Sequence, residues 1–510
     1  MKRHFIFTVL AVVLFATLPM EAQIRGFRQE QLKEWEFSKD GSDWQTVAVP
    51  HSYNAEDGHS PYYYRGKATY RCDLRITDVK KTHYVFFEGA AQAAVVKVNG
   101  EQVAIHKGGY TPFSVNITEA LRKGVNRLEV ICDNSEDVEM APVTSDFNKN
   151  GGLHNPVWLL VMEDVYLSPE DYGMYRLRCE TPVVTPKKVV TNVRAKLINS
   201  GNRDANILVR VQLLEADGRL GYQADREVPV GAFSEYDFDH EFILSGIHFW
   251  DGMKDPYLYT LRVELFKGKR MMDIAETKIG YRSIEMDPER GFILNGRPYP
   301  LRGVAMHQDS DGKASALTQS DYRRDYRIVK ELGANFLRLA HYPHNDFAFQ
   351  QCDSLGIIVQ TEVPWVNVCG EDATQAYFNN IQHQMKEMVS NLYNHPSIAF
   401  WGMWNELDTW GNNNDLQGQF DAERVARETE RLYDYTKGLD PDRFVGFTDC
   451  SRLARDGYKM LKGDFCSQNI YYGWYWTPND FSGLSSSMKK LHEMKPDMPF
   501  NVSEYGVGIN

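Results

Sequence analysis

The chain holds 510 residues, of which 43% are hydrophobic and 25% charged, and its formal net charge is −12. That length exceeds a single hydrophobic core, so about three or four domains are expected. The acidic balance, with no Lys/Arg run beyond the first few residues, argues against a nucleic-acid partner.

The N-terminus reads as a signal peptide over residues 1–22. Lys2 and Arg3 give the basic start, Phe5 to Leu18 the apolar stretch, and Ala22 precedes a cut ahead of Gln23. The apolar run is short for a membrane span, so the mature chain is expected to be exported, periplasmic or secreted, without a membrane partner. Seven cysteines are scattered with no Cys-x-x-Cys pair, so zinc is not indicated and the odd count leaves a free thiol.

From residue 24 to about 170 the pattern is all-β. Val95-Val96-Lys97-Val98, Asn99-Gly100 and Glu101-Gln102-Val103 read as a hairpin, because Asn-Gly tolerates the left-handed turn that two-residue hairpins need. A β-sandwich follows. Within it, Asp146 to His154 is polar and glycine-rich, a loop able to reach a neighbouring domain. Residues 171–284 are again β: Ile207, Val209, Val211 and Leu213 share one strand face before the turn at Asp217-Gly218.

After Ile284 strands and helices alternate, the signature of βα units. Strands are expected at Tyr299–Val304, Asn335–Leu339, Ile357–Thr361, Ile398–Trp404, Phe444–Phe447, Phe465–Ile470 and Phe500–Ser503. Helices are expected at Asp321–Leu332 with Ser320 as N-cap, at Asn345–Leu355 stopped by Gly356, at Ala373–Tyr393 and at Asp421–Lys437. Seven strands in fewer than the ~250 residues of a (β/α)8 barrel predict a TIM barrel lacking its last unit over residues 285–510.

Such barrels carry their chemistry at the C-terminal ends of the strands. The polar residues there are His307 and Asp309 after the first strand, Arg338, His341 and Tyr342 at the second, Glu362 after the third, Asn405 and Glu406 after the fourth, Asn469 and Tyr471 after the sixth, and Glu504 after the seventh. Two glutamates at strand ends of one barrel can face each other across a cleft, as glycoside hydrolysis requires. Glu406 is assigned as general acid, its pKa raised by burial and a second carboxylate, and Glu504 as ionised nucleophile. Arg338 is expected to keep Glu504 ionised, Tyr471 to orient it, and Asn405 to bond the sugar 2-hydroxyl. His307, Asp309 and His341 fall on the substrate-binding rim. Trp474 and Trp476 suit sugar contact and packing equally, whereas Trp401 and Trp404 read as barrel interior.

Several of these stretches resemble glycoside hydrolase family 2, the retaining β-galactosidases, β-glucuronidases and β-mannosidases. Leu301-Arg302-Gly303-Val304-Ala305-Met306-His307-Gln308-Asp309 is similar to its first-strand motif, and Arg338-Leu339-Ala340-His341-Tyr342-Pro343 to its second. Asn394-His395-Pro396-Ser397 leading to Asn405-Glu406 resembles the acid/base signature, and Ser503-Glu504-Tyr505-Gly506 the nucleophile signature. The resemblance implies a jelly-roll sugar-binding domain (24–170), an immunoglobulin-like β-sandwich (171–284) and the TIM barrel. It implies Glu406 as acid/base, Glu504 as nucleophile, and Asp146 as a residue reaching from the jelly roll to sugar hydroxyls. It implies a β-linked saccharide substrate, no cofactor or required metal, and leaves a homo-oligomer open. The His307-Gln308-Asp309 and Arg338 motifs look most like β-galactosidases, whereas the Asp146 loop and Asn469 to Tyr475 look equally like β-glucuronidases. The departure is the missing eighth strand, so a fragment or a carbohydrate-binding relative without catalysis stands as the alternative.

Overall fold

A computed structural model of the chain describes residues 28–143, 145, 147–367, 373–407, 422–450, 461–475 and 477–506. The signal-peptide reading, Asp146 and Trp476 lie outside the described residues.

The N-terminal unit is a sandwich of a six-stranded and a four-stranded sheet. Its strand Gly124–Asp133 shows why it folds so: Asn126, Leu128, Val130 and Cys132 point inward and their neighbours do not. This two-residue period buries one face against Trp35, Phe37 and Val96. The Asn-Gly hairpin forms between Ala93–Val98 and Glu101–Lys107, with φ of 53° at Asn99 and 88° at Gly100. The next unit packs the sheet around Val189–Asn199 against Leu220–Val230, Ala205–Leu214, Tyr259–Lys267 and Arg270–Ile279. Ile207, Val209, Val211 and Leu213 all face its core. The six described cysteines are free thiols.

A seven-stranded parallel barrel sheet follows, its strands adjacent in chain order: β1 (Gly303–Met306), β2 (Phe336–Leu339), β3 (Ile358–Glu362), β4 (Ile398–Asn405), β5 (Phe444–Asp449), β6 (Phe465–Asn469) and β7 (Phe500–Glu504). The sheet curls until β1 and β7 come within 8 Å of each other, so the described barrel is nearly closed with seven strands. Its helices are α1 (Gln319–Glu331), α2 (Asp346–Leu355), α3 (Gln375–Leu392), α4 (Ala422–Leu439) and α5 (Gly483–Met494). A small sheet of Ile284–Asp287, Gly291–Leu294 and Arg297–Pro298 closes the N-terminal mouth, packing Phe292 and Leu294 against Phe336, Ile358 and Phe400.

The boundaries correct the sequence reading in three places. β1 starts at Gly303 rather than Tyr299, because Pro300 lacks the N–H a ladder needs. The cap of α1 is Thr318, not Ser320: the Thr318 hydroxyl accepts from Asp321 N while the Asp321 carboxylate accepts from Thr318 N, a reciprocal capping box. Trp401 and Trp404 are buried outside the barrel interior, in the layer under α4. Their indole N–H groups donate to Asp440 (2.9 Å) and Thr429 (3.0 Å). They share a side despite three-residue spacing because the register with β5 shifts between Gly402 and Asn405.

Candidate active site

The C-terminal ends of β2, β3, β4, β6 and β7 bring one connected polar cluster together. Arg338, from β2, is 1% exposed and sits at its centre. Its Nε donates to Glu362 Oε1 (2.5 Å), its Nη1 to Glu504, and its Nη2 to Asn405 Oδ1 (2.7 Å). Three carboxyl or amide acceptors thus fix one planar fork, a geometry arginine supplies and lysine does not. Glu362 can lie there because residue 402 is glycine. A Cβ at Gly402 would stand 2.6 Å from Glu362 Cγ.

Glu504 ends β7. Burial alone would raise its carboxyl, but Arg338, then His341, and the hydroxyl of Tyr471 outweigh that and hold it below the usual carboxylate range. Tyr471 donates to Glu504 Oε2. The Tyr471 phenol is in turn pushed up by burial and by the Glu504 charge, so it remains a donor. His341 lies with Nδ1 3.3 Å from Glu362 Oε2 and Nε2 3.8 Å from Glu504 Oε1. Glu362 is fully enclosed, yet Arg338 and His341 overcome its desolvation and keep it ionised, with its pKa at about 2.

Glu406 follows β4. Its carboxylate accepts from Asn469 Nδ2 at 2.6 Å, and Asn469 Oδ1 accepts from Ser503 Oγ at 2.7 Å. Asn469 pairs in register with Glu504 across β6 and β7. One amide on β6 therefore stands between Glu406 on β4 and Ser503, the residue beside Glu504 on β7. Glu406 adopts φ of 49°, the left-handed region that non-glycine residues enter at a cost of roughly 1–2 kcal/mol. That turn sends Asn405 and Glu406, neighbours in sequence, to partners in the same cleft.

The rim residues are placed as follows. The His307 ring is exposed and approaches Tyr342 Oη at 3.3 Å, and partial desolvation with neighbouring His341 and His344 lowers its pKa. Asp309 is exposed, with its carboxyl raised by partial desolvation. The described part of this loop, residues 147–154, does reach the barrel. Phe147 packs 5.3 Å from His307 and 5.7 Å from His341, and Asn150 Nδ2 donates to Ser315 Oγ at 2.8 Å. Trp474 stacks on Tyr475 at 3.8 Å and meets Tyr471 edge-on at 5.8 Å, which places it beside the Glu504 partner. Glu362 and Asn469 were visible as strand-exit residues but received no role. Only the hydrogen bonds reveal that they support Arg338 and Glu406.

Comparison with known proteins agrees with this architecture. Models described as glycosyl hydrolases family 2, TIM barrel domain, glycosyl hydrolases family 2, and glycosyl hydrolase 2 galactose-binding domain-like match residues 286–510, 175–282 and 36–151. A beta-glucuronidase of Bacteroides fragilis is 31% identical over 480 residues, covering 92% of this chain and 66% of that protein. A beta-galactosidase of Thermoanaerobacterium thermosulfurigenes is 27% identical, covering 94% of this chain and 63% of that one. The solved structure of a Bacteroides uniformis beta-glucuronidase superposes with a TM-score of 0.88 at 29% identity, over 95% of this chain and 60% of that chain. The chain thus spans 60–66% of the length of these three relatives. With three models of one family laid in order along sandwich, sandwich and barrel, the chain belongs to glycoside hydrolase family 2.

Proposed function

We propose that this protein is an exo-acting retaining β-glycosidase that removes a terminal β-linked sugar by double displacement. The observation that carries the reading is the Arg338–Glu504–Tyr471 arrangement. It holds one carboxylate ionised while a second, Glu406, is bonded to Asn469, the residue that pairs in register with Glu504. Glu504 attacks the anomeric carbon, and its C–O bond to the sugar forms as the glycosidic C–O bond breaks. Glu406 gives its proton to the leaving oxygen, then takes one from the water that releases the sugar from Glu504. Arg338 and Tyr471 stabilise the carboxylate before attack and again as it leaves. Asn405, oriented by Arg338, is the donor for the sugar 2-hydroxyl, a contact that strengthens as charge develops. His307, Asp309 and Trp474 line the approach.

The sugar we assign is a β-galactoside, from the first- and second-strand motifs. A β-glucuronide is the second reading, favoured by the names of the Bacteroides fragilis and Bacteroides uniformis relatives. Turnover of aryl β-galactoside and aryl β-glucuronide by the exported protein separates them by relative kcat/KM. No turnover of any aryl β-glycoside, with sugar binding retained, would overturn the enzyme reading in favour of a carbohydrate-binding relative. Export itself is proposed from the N-terminal pattern and is tested by the mass and N-terminal residue of the protein outside its native cell.

A further inference from the structure

Among the described residues, a cluster of side chains able to ligate a metal lies between the outer helical layer and the N-terminal sandwich. His383 and Glu387 are one turn apart on α3, so their side chains share a face. Facing them is His106, from the sandwich strand Glu101–Lys107. His106 Nε2 lies 2.9 Å from Glu387 Oε1, and His383 Nε2 lies 3.0 Å from the same oxygen. The three donor atoms all fall within 4.8 Å of one another. The other carboxylate oxygen, Glu387 Oε2, accepts from Thr111 Oγ1 at 2.5 Å, which fixes the carboxylate plane. The surrounding interface is held independently: Asn380 Nδ2 donates to Lys107 O (2.9 Å) and Gln384 Nε2 to Ala141 O (2.9 Å). The ring of His106 stacks on Phe113 with centroids 3.9 Å apart. His106 and Glu387 are therefore positioned by groups outside the cluster.

We propose that His106, His383 and Glu387 form a divalent transition-metal site, of the zinc class, that staples the N-terminal sandwich to the barrel. Two imidazoles and one carboxylate are a borderline-soft donor set that zinc accepts with a water in the fourth position. Ligands at about 2.0–2.2 Å in a tetrahedron stand roughly 3.3–3.5 Å apart, so the contacts of 2.9 and 3.0 Å to Glu387 open by about 0.4 Å on binding, while the two imidazoles, within 4.8 Å of each other, close by up to about 1.4 Å through the exposed His383 side chain. The side chain of His383 is 55% exposed, which leaves an entry path and room for the water; those of His106 and Glu387 are 7% and 14% exposed. One feature limits the affinity. His106 Nδ1 is buried without a hydrogen-bond partner, and ligation through Nε2 moves the ring proton onto it. A missing outer-shell partner of this kind lowers metal affinity by about 10–100-fold.

The test uses the full chain stripped with a chelator and then given Zn2+ or Co2+ alone. Expected are one ion per chain by native mass spectrometry, a rise in Tm, and the visible absorption of tetrahedral cobalt. His383→Ala, at an exposed position, keeps the metal-free Tm and loses all three signals; Glu387→Gln, which preserves shape, also loses them. No stoichiometric binding at submillimolar Zn2+ overturns the proposal. So does binding that survives both substitutions, because the ion then sits elsewhere.

Discussion

Two of the buried ion clusters in the barrel region are built from the same kinds of parts and differ in one respect. At the C-terminal face Arg338 and His341 meet Glu362 and Glu504. Behind the strands His395 bridges Asp353 (2.6 Å) and Asp346 (2.9 Å). Burial works against a charge on His395, but the two aspartates outweigh it and raise its pKa to about 10. Every side chain of this second cluster is 3–4% exposed. In the first cluster Glu504 is 21% exposed while Arg338 and Glu362 are 1%. A charge cluster sealed on all sides holds elements together. The same cluster with one carboxylate left open can react. Asp353 also accepts from Ser397 N and Asp346 from Tyr175 Oη, so the sealed cluster joins β4, α2 and the second sandwich.

The comparison is sharpest at its reactive member. Glu504→Gln is expected to remove turnover of aryl β-glycosides to the background of the assay while leaving Tm nearly unchanged, because the buried Arg338 keeps Glu362 as its counter-ion. Turnover that persists in a refolded, metal-free sample would break the assignment. Glu406→Gln should cost about 10²–10⁴ in kcat for substrates with poor leaving groups and much less for activated aryl glycosides, which need no proton; equal losses for both would remove Glu406 from the acid role. The sealed cluster should answer in the opposite currency. His395→Ala leaves two buried aspartates without a cation and is expected to lower stability by about 3–5 kcal/mol in urea unfolding, with kcat of the folded fraction unchanged.

The pH dependence separates the clusters by sign. His395 has a folded pKa raised from its ordinary value to about 10. Its contribution is complete below about pH 6.5 and is lost as pH rises towards 10. Glu362 has a folded pKa lowered to about 2, so its contribution is complete above about pH 4.5 and is lost as pH falls towards 2. In unfolding curves, His395→Ala should therefore flatten the alkaline limb and Glu362→Gln the acid limb; a swap of limbs would contradict both charge assignments. The smallest effect is that of Tyr471→Phe. It removes one hydrogen bond to a charged group, about 1.5–3 kcal/mol, or roughly tenfold to a hundredfold in kcat/KM. Because the lost donor raises Glu504's pKa, the acid limb of kcat/KM should move to higher pH; a fall in activity with no shift would reduce Tyr471 to a packing role.

Much of this was legible in the chain before folding. Strand exits are local features: a short apolar run followed by a polar residue predicts a position on the barrel face, and Arg338, Asn405, Glu406, Tyr471 and Glu504 were found that way. Long-range partners were not legible. Nothing in β3 says that Glu362 turns toward Arg338, and the permissive residue is Gly402 on the next strand. His106 and Glu387 are 281 positions apart, so no spacing rule joins them. The burial of Trp401 and Trp404 under α4 depended on a register shift that alternation cannot foresee. Helix α5 was unexpected because its Gly-Leu-Ser-Ser-Ser start reads as loop. The sealed cluster shows the converse: Asn394-His395-Pro396-Ser397, which helped identify the family, serves here to lock β4 to its neighbours rather than to touch the cleft.

The left-handed backbone at Glu406 gives this site an evolutionary ratchet. Glycine is the substitution the main chain would welcome there, relaxing roughly 1–2 kcal/mol, and it is also one that deletes the acid. Mutational drift toward greater robustness therefore leads away from catalysis at this codon. A lineage that stopped needing the reaction would be expected to fill Glu406 with glycine or asparagine early, long before the sealed cluster around His395 decayed. Among relatives, the residue at this single position should thus date the loss of chemistry more sensitively than the fold, which would persist as a sugar-binding shell.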